Sequence, residues 1–196
     1  MNVLVIPEDS RFDQHVLKPI IEAMLAALDR PRAKVRVCQD PVLGGVDQAT
    51  NWNRVSEILD LYEGMVDLFL LIVDRDGKPG RRSALDGIEA KARATLRVGS
   101  HLLAENAWQE IEVWILAGMD LPAEWEWREI RTEIQLKETY YTPFARSRNA
   151  VDEPGEGRRR LALEAASRYG RIRRLCPEDV RSLEDRIQAL LAAGTL

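Results

Sequence analysis

The 196-residue sequence has little of what makes covalent or metal staples. Its only cysteines are Cys38 and Cys176, and its only histidines are His15 and His101. No Cys/His cluster has zinc spacing, which removes a structural zinc site. The two thiols are expected to be reduced and buried rather than bridged. Neither histidine belongs to a paired motif, so both read as structural or surface residues. No apolar run approaches the roughly 18 residues that span a membrane. Met1 to Glu8 lacks the basic region and the apolar length of a signal peptide, so the cytoplasm is the expected location. Gly44-Gly45 is not followed by Gly-Lys-Ser/Thr, which argues against a P-loop. Internal repeats and low-complexity segments are also missing.

The composition is ordinary for a globular chain, with 45% hydrophobic and 31% charged residues, and the length suits one domain with a full core. The formal charge of −4 argues against a uniformly basic nucleic-acid coat. The charge is uneven, however. Residues 146 to 174 hold nine arginines against four acids, an excess of +5 that leaves −9 on the rest of the chain. Such asymmetry fits a phosphate-binding face beside an acidic site, and fits equally a solvated surface laced with internal ion pairs.

The most informative stretch runs from Leu68 to Gly77. Six apolar residues, Leu68 to Val73, end at Asp74-Arg75-Asp76-Gly77. A short apolar run bounded by charge and glycine reads as a strand buried on both faces, as in a parallel sheet. Ligands of open α/β sheets bind at the carboxyl ends of the strands. Asp74 and Asp76 stand there, spaced to face one hard cation, although Asp and Gly also favour plain turns.

Three more strands are expected: Asn2–Ile6, the alternating Lys34–Cys38 near a sheet edge, and His101–Glu105. Between and after them the apolar spacing predicts helices over about 14–28, 51–62, 83–98, 107–117, 124–137, 158–168 and 178–193. Residues 41 to 50 and 139 to 143 read as irregular. The order β-α-β-α-β-α-β-α predicts an α/β fold. Its Rossmann-like, mostly parallel sheet has about four strands with helices on both faces, and a helical C-terminal extension follows. The division is an α/β domain over 1–120 and an extension over 121–196 packed on the same domain.

Parallel strands would bring Glu8, Asp74, Asp76 and Glu105 to one edge of the sheet. Four gathered carboxylates repel one another unless a cation neutralises them, which suits Mg²⁺ or Mn²⁺. On Glu8 in Val5-Ile6-Pro7-Glu8 and on Asp74 and Asp76 in Ile72-Val73-Asp74-Arg75-Asp76-Gly77, the sequence resembles the toprim domain over about residues 1 to 120. That family places a glutamate after its first strand and Asp-x-Asp after its third. The tail is similar to that of small stand-alone toprim-like proteins of uncharacterised function, which often accompany phage-defence genes. Related OLD-type nucleases carry further acids and a lysine in a two-metal site. Glu105, Glu110 and Glu112 are the candidate acids here, and Lys137 and Lys91 the candidate lysines. The OLD type usually has a second acid four residues after the first glutamate. That position is Phe12 here, with Asp9 and Asp13 nearby.

The resemblance implies a Mg²⁺- or Mn²⁺-dependent nuclease with Glu8, Asp74 and Asp76 as catalytic acids. The metal ligands would be Glu8, Asp74, Asp76, Glu105 and Glu110. Lys78, Arg81, Arg82, Arg158 and Arg159 would contact substrate phosphates. It also implies a nucleic-acid partner and allows a protein partner in a defence system. A non-catalytic partner or sensor that keeps the metal-binding fold is the competing reading, and a small-molecule phosphatase a weaker third, because its paired aspartates normally follow the first strand. Tyr140 and Tyr141 carry no mark of a topoisomerase nucleophile. The tryptophans Trp108, Trp114, Trp125 and Trp127 read as core or interface residues rather than stacking platforms.

Overall fold

The computed structural model describes residues 1–196. Its first part alternates strand and helix: β1 (Asn2–Pro7), α1 (Ser10–Ala27), β2 (Lys34–Val37), a single turn α2 (Val46–Ala49), α3 (Trp52–Leu61), β3 (Leu68–Asp74), α4 (Arg81–Thr95), β4 (His101–Ala107) and α5 (Glu112–Gly118). The four strands form one wholly parallel sheet in the order β2-β1-β3-β4. The chain has the α/β, Rossmann-like fold expected from its strand–helix alternation. The remainder is helical: α6 (Trp127–Thr132), a π-helical turn (Lys137–Tyr141) running into α7 (Thr142–Ser147), α8 (Arg158–Ala166), α9 (Tyr169–Leu175), and a second π-helical turn (Pro177–Arg181) leading into α10 (Ser182–Ala192). No helix is long and apolar enough to cross a membrane.

The unbroken apolar run of β3 has a direct cause. Leu68, Leu70 and Ile72 face one core, while Phe69, Leu71 and Val73 face the other. The second core is closed by Val55, Ile58 and Leu59 of α3 and by Leu85, Ile88 and Ala92 of α4. The first is larger and holds α1, α5 and most of the C-terminal helices, so residues beyond 120 belong to the same folding unit as the sheet. β2 is an edge strand with one well-buried residue, Val35, which accounts for its alternating pattern. Cys38 and Cys176 are both free and buried.

Several boundaries differ from the expectation, among them the helix expected over 107–117, which starts only at Glu112, and the irregular 41–50 segment, which holds the single turn α2. α1 starts at Ser10, earlier than residue 14, because Asp9 caps it by accepting from the Arg11 N–H at 2.9 Å, and the helix runs through Pro19. β4 continues two residues past Glu105, since Asn106 and Ala107 pair with Val73 and Asp74. The helix expected over 124–137 is limited to α6, and the 139–143 segment is helical rather than irregular. Tertiary packing decides that region: Trp125 stacks edge-on against Tyr140 at 5.0 Å, and the Trp127 indole N–H donates to the Leu175 carbonyl at 3.2 Å.

Candidate functional site

The register of β1 against β3 sets Pro7 opposite Ile72, which puts Glu8 beside the end of β3. The Glu8 carboxylate accepts from the backbone N–H of Asp74 at 3.5 Å. Asp74 has the parity of Leu70 and Ile72, so its side chain turns to the face covered by α1 and α5. There its Oδ1 accepts from the Ile111 N–H at 2.9 Å. Asp13 reaches the same place from the first turn of α1, where its carboxylate accepts from the Asp9 N–H at 2.9 Å. Glu112, at the start of α5, closes the group from the other side. Asp74 is packed into the protein and surrounded by the charges of Glu112, Asp13, Glu8 and Asp76. Burial first, and these four neighbours second, hold its carboxyl well above the usual range.

The loop after β3 is held by the turn after β4. Gln109, itself in the left-handed region at φ 73°, accepts from the Arg75 N–H at 2.9 Å and the Asp76 N–H at 3.2 Å through its carbonyl. Its side-chain oxygen accepts from the Gly77 N–H at 2.8 Å. Asp76 and Gly77 are both left-handed, at φ 51° and 65°, a conformation that Asp tolerates and Gly adopts freely. Asp76 is exposed and bonded only to Arg81, whose Nη2 lies 3.3 Å from its Oδ2.

Burial pushes the Asp13 carboxyl up to about 7, and repulsion from Glu112, Glu8 and Asp9 adds to it. Glu110 is pushed up to about 7 by burial and by Glu112, Glu138 and Asp76, against one bond from the Lys137 N–H at 2.5 Å. Burial also raises Glu8. Two of these acids have a cation: the Arg158 guanidinium grips Glu112 through Nε at 2.9 Å and through Nη2, both side chains being buried, and Arg81 stands 3.3 Å from Asp76. The group is therefore short of positive charge. No three of its side chains converge closely enough to chelate one ion as they stand. An all-protein metal cage is therefore not formed by these side chains.

The expected site residues divide as follows. Glu8, Asp74, Asp76 and Glu110 come together. Lys137 lies beside them: its Nζ is 3.7 Å from Glu156 and 5.9 Å from the Phe12 ring. Glu105 does not join. Because β4 continues past it, Glu105 points from inside the strand at Arg82 (3.2 Å) and Arg186 (3.5 Å), which neutralise it. Arg82 is fully engaged with Asp86, Glu89, Glu105 and the Ala104 carbonyl, and Arg158 with Glu112 and Glu156, so neither is free for a substrate. Lys91 stands over Trp52 on the far face of the sheet. Lys78 and Arg159 are exposed and have no ion-pair partner, and Arg81 is buried. Most of the basic 146–174 segment is likewise ion-paired: Arg148 with Glu164, Arg160 with Glu153, Arg168 and Arg171 with Asp120, and Arg173 with Glu184. That segment is a laced surface, not an open phosphate face.

Asp13, one of the two acids near Phe12, joins the group from the first turn of α1. One contributor escapes a sequence reading. Gln109 gave no signal, because its role is carried by its backbone oxygen and by a left-handed φ. Trp108 is not core: it lies between Arg75 at 3.8 Å and Arg131 at 5.6 Å. Compared with protein-family models, with curated proteins and with solved structures, the chain matches none of them.

Proposed function

We propose that the protein is a Mg²⁺- or Mn²⁺-dependent nuclease of toprim type that hydrolyses nucleic-acid phosphodiesters. The observation that supports this reading best is the crowding of Asp74, Glu8, Asp13, Asp76 and Glu112 at the carboxyl end of the sheet with two cations close by, Arg158 on Glu112 and Arg81 on Asp76. Crowded carboxyls that give up their protons only when a positive charge joins them are suited to oxygen-ligated cations. Glu8 and Asp74 are the pair best placed to hold the ion, with Asp76 at its exposed side. When bound, the ion polarises the phosphate and lowers the pKa of the attacking water. Glu8 and Asp13, which lie in the same acid group, would be the carboxylates able to take up a proton from it. Glu110 lies beside this group and accepts from the Lys137 N–H. A role in phage defence rests on the family resemblance alone.

The test is nicking of supercoiled plasmid by the purified protein with Mg²⁺ or Mn²⁺. Cleavage is expected with the wild type. Asp74→Ala and Glu8→Ala should lose it by at least 100-fold, the scale on which single acid–base or electrostatic groups act. Glu105→Gln should retain it. Cleavage that survives in Asp74→Ala would refute the assignment. No cleavage by folded wild type that still binds Mn²⁺ would favour a non-catalytic, partner-dependent role.

A further inference from the structure

β4 forms one free edge of the sheet. Its parity is fixed at both ends: the His101 N–H donates to the Asp67 carbonyl at 2.9 Å, and the Ala107 carbonyl accepts from the Arg75 N–H at 3.2 Å. Alternate residues of the strand from His101 therefore turn their backbone groups to β3, and Leu102, Ala104 and Asn106 turn theirs outward. Folded proteins usually cover such an edge. Ala104 is covered: its N–H donates to Glu89 at 2.7 Å, and its carbonyl accepts from Arg82 at 2.7 Å and from Arg186 at 3.0 Å. Leu102 is not, since neither its N–H nor its carbonyl has a partner in the protein. These two groups lie on the floor of a cleft of about 440 Å³, between the carboxyl end of α4 and the end of α10. That volume is within the range of ligand-holding clefts, roughly 300–1,000 Å³. Arg82 and Glu89 of α4 meet Arg186 of α10 across the edge at Ala104, which closes the cleft there. The charge inside is one-sided. Arg93 and Arg97 are exposed and have no ion-pair partner, and Arg97 reaches only the Ser100 hydroxyl at 3.4 Å. The one acid in the lining, Glu89, is already held by Arg82 and Arg186.

We propose that this cleft takes an acidic, extended segment of a partner protein, added as a short strand beside β4. The open N–H and carbonyl of Leu102 supply the ladder bonds, as in other strand additions. Side chains of an added strand alternate between the two faces of the sheet. On the α4 face they meet Arg93 and Arg97, which select acids. On the α10 face they meet Leu103 and Leu190, which favour apolar residues. The fitting sequence therefore alternates acidic and apolar residues. The closed end at Ala104 keeps the ladder short, so the two arginines carry much of the selectivity. The cleft sits at the amino end of β4, at the opposite end of the sheet from the Asp74 group, and the inference does not depend on the nuclease reading.

The experiment uses the full chain and a short fluorescein-labelled peptide of alternating Glu and Val, read by anisotropy. The wild type should bind it saturably, and a Lys-for-Glu version should not bind. Arg93→Gln with Arg97→Gln should lower the affinity about tenfold or more, the scale of lost charge-assisted bonds. Both arginines are exposed and unpaired, so the double variant should fold as the wild type does. Arg36→Gln, on the opposite edge strand β2, should bind unchanged. The decisive readout is the peptide backbone. N-methylation of one alternate set of its amides should abolish binding and of the other set should spare it, because only one set faces β4. No binding by the wild type, equal binding by the double variant, or equal loss with both N-methylated sets overturns the proposal. A wild-type dimer in gel filtration that the double variant dissolves would make a second copy of the chain the occupant, and overturns it as well.

Discussion

Asp74, Asp13, Glu8 and Glu110 hold protons that free carboxyls would release, and this has a sign. Unfolded, such groups ionise near pH 4. Folded, Asp13 and Glu110 stay protonated to about 7, and so does Glu105, which burial raises against the pull of Arg82 and Arg186. Between those limits the native state binds more protons than the unfolded chain, so stability falls as pH rises. In EDTA the melting temperature should drop by several degrees from pH 5 to pH 8, and calorimetry across that range checks it. Asp74→Asn removes the most crowded member and should flatten the slope. If the cation reading holds, Mg²⁺ should restore most of the loss at pH 8 and release protons as it binds. A flat profile in EDTA would mean that the acids are less crowded than the packing indicates.

Elements meet in this fold at two places where one residue decides the contact. α5 and α8 approach so closely at Gly118 that an added Cβ would lie 2.6 Å from the Ala165 Cα and 2.8 Å from its carbonyl oxygen. Backbone cannot move aside cheaply, so Gly118→Ala should cost about 1–3 kcal/mol or more in urea unfolding. Gly87, inside α4 and facing open space, predicts the opposite, a gain of about 0.5–1 kcal/mol on change to Ala. The second place is Asp179, fully buried in the turn before α10. It accepts from Arg131 at 2.7 and 3.1 Å, from the Trp114 indole at 2.9 Å and from the Trp108 N–H at 2.9 Å. Asp179→Ala leaves the buried Arg131 guanidinium with only the half-exposed Glu178 at 2.9 Å and should cost about 3 kcal/mol, read by chemical denaturation.

The whole molecule is one packed unit despite its division into a sheet and a helical tail. Ile130, Leu161, Ile172, Val180, Leu183 and Ile187 share a core with Val3, Leu70 and Ile72. A fragment of residues 1–120 would leave in water the sides of α1 and α5 that pack on α8 and the part of β4 that packs on α10. It should be unfolded or aggregated by circular dichroism and gel filtration, whereas a separately folding sheet domain would give a cooperative melt. The tail also supplies Arg158 to Glu112 and the Lys137 N–H to Glu110, so losing it would unbalance the acid site as well.

The sequence by itself determined the parts set by local periodicity. Leu68–Val73 could only be a strand covered on both faces. The stripe from Val16 to Leu25 made α1, and Glu8 and Asp74 had to share a sheet edge once their strands were parallel. Tertiary structure decided whatever depended on which group met which. Glu105 was lost from the edge because β4 ran two residues farther to pair with Val73 and Asp74. Asp13 was gained because the Asp9 cap fixed the phase of α1. The basic 146–174 segment was neutralised by acids as distant as Asp120 and Glu184. Periodicity reports how a segment alternates between water and core, and that is a local property of side chains. Pairing of charges is settled by distances between segments, and no local pattern contains them.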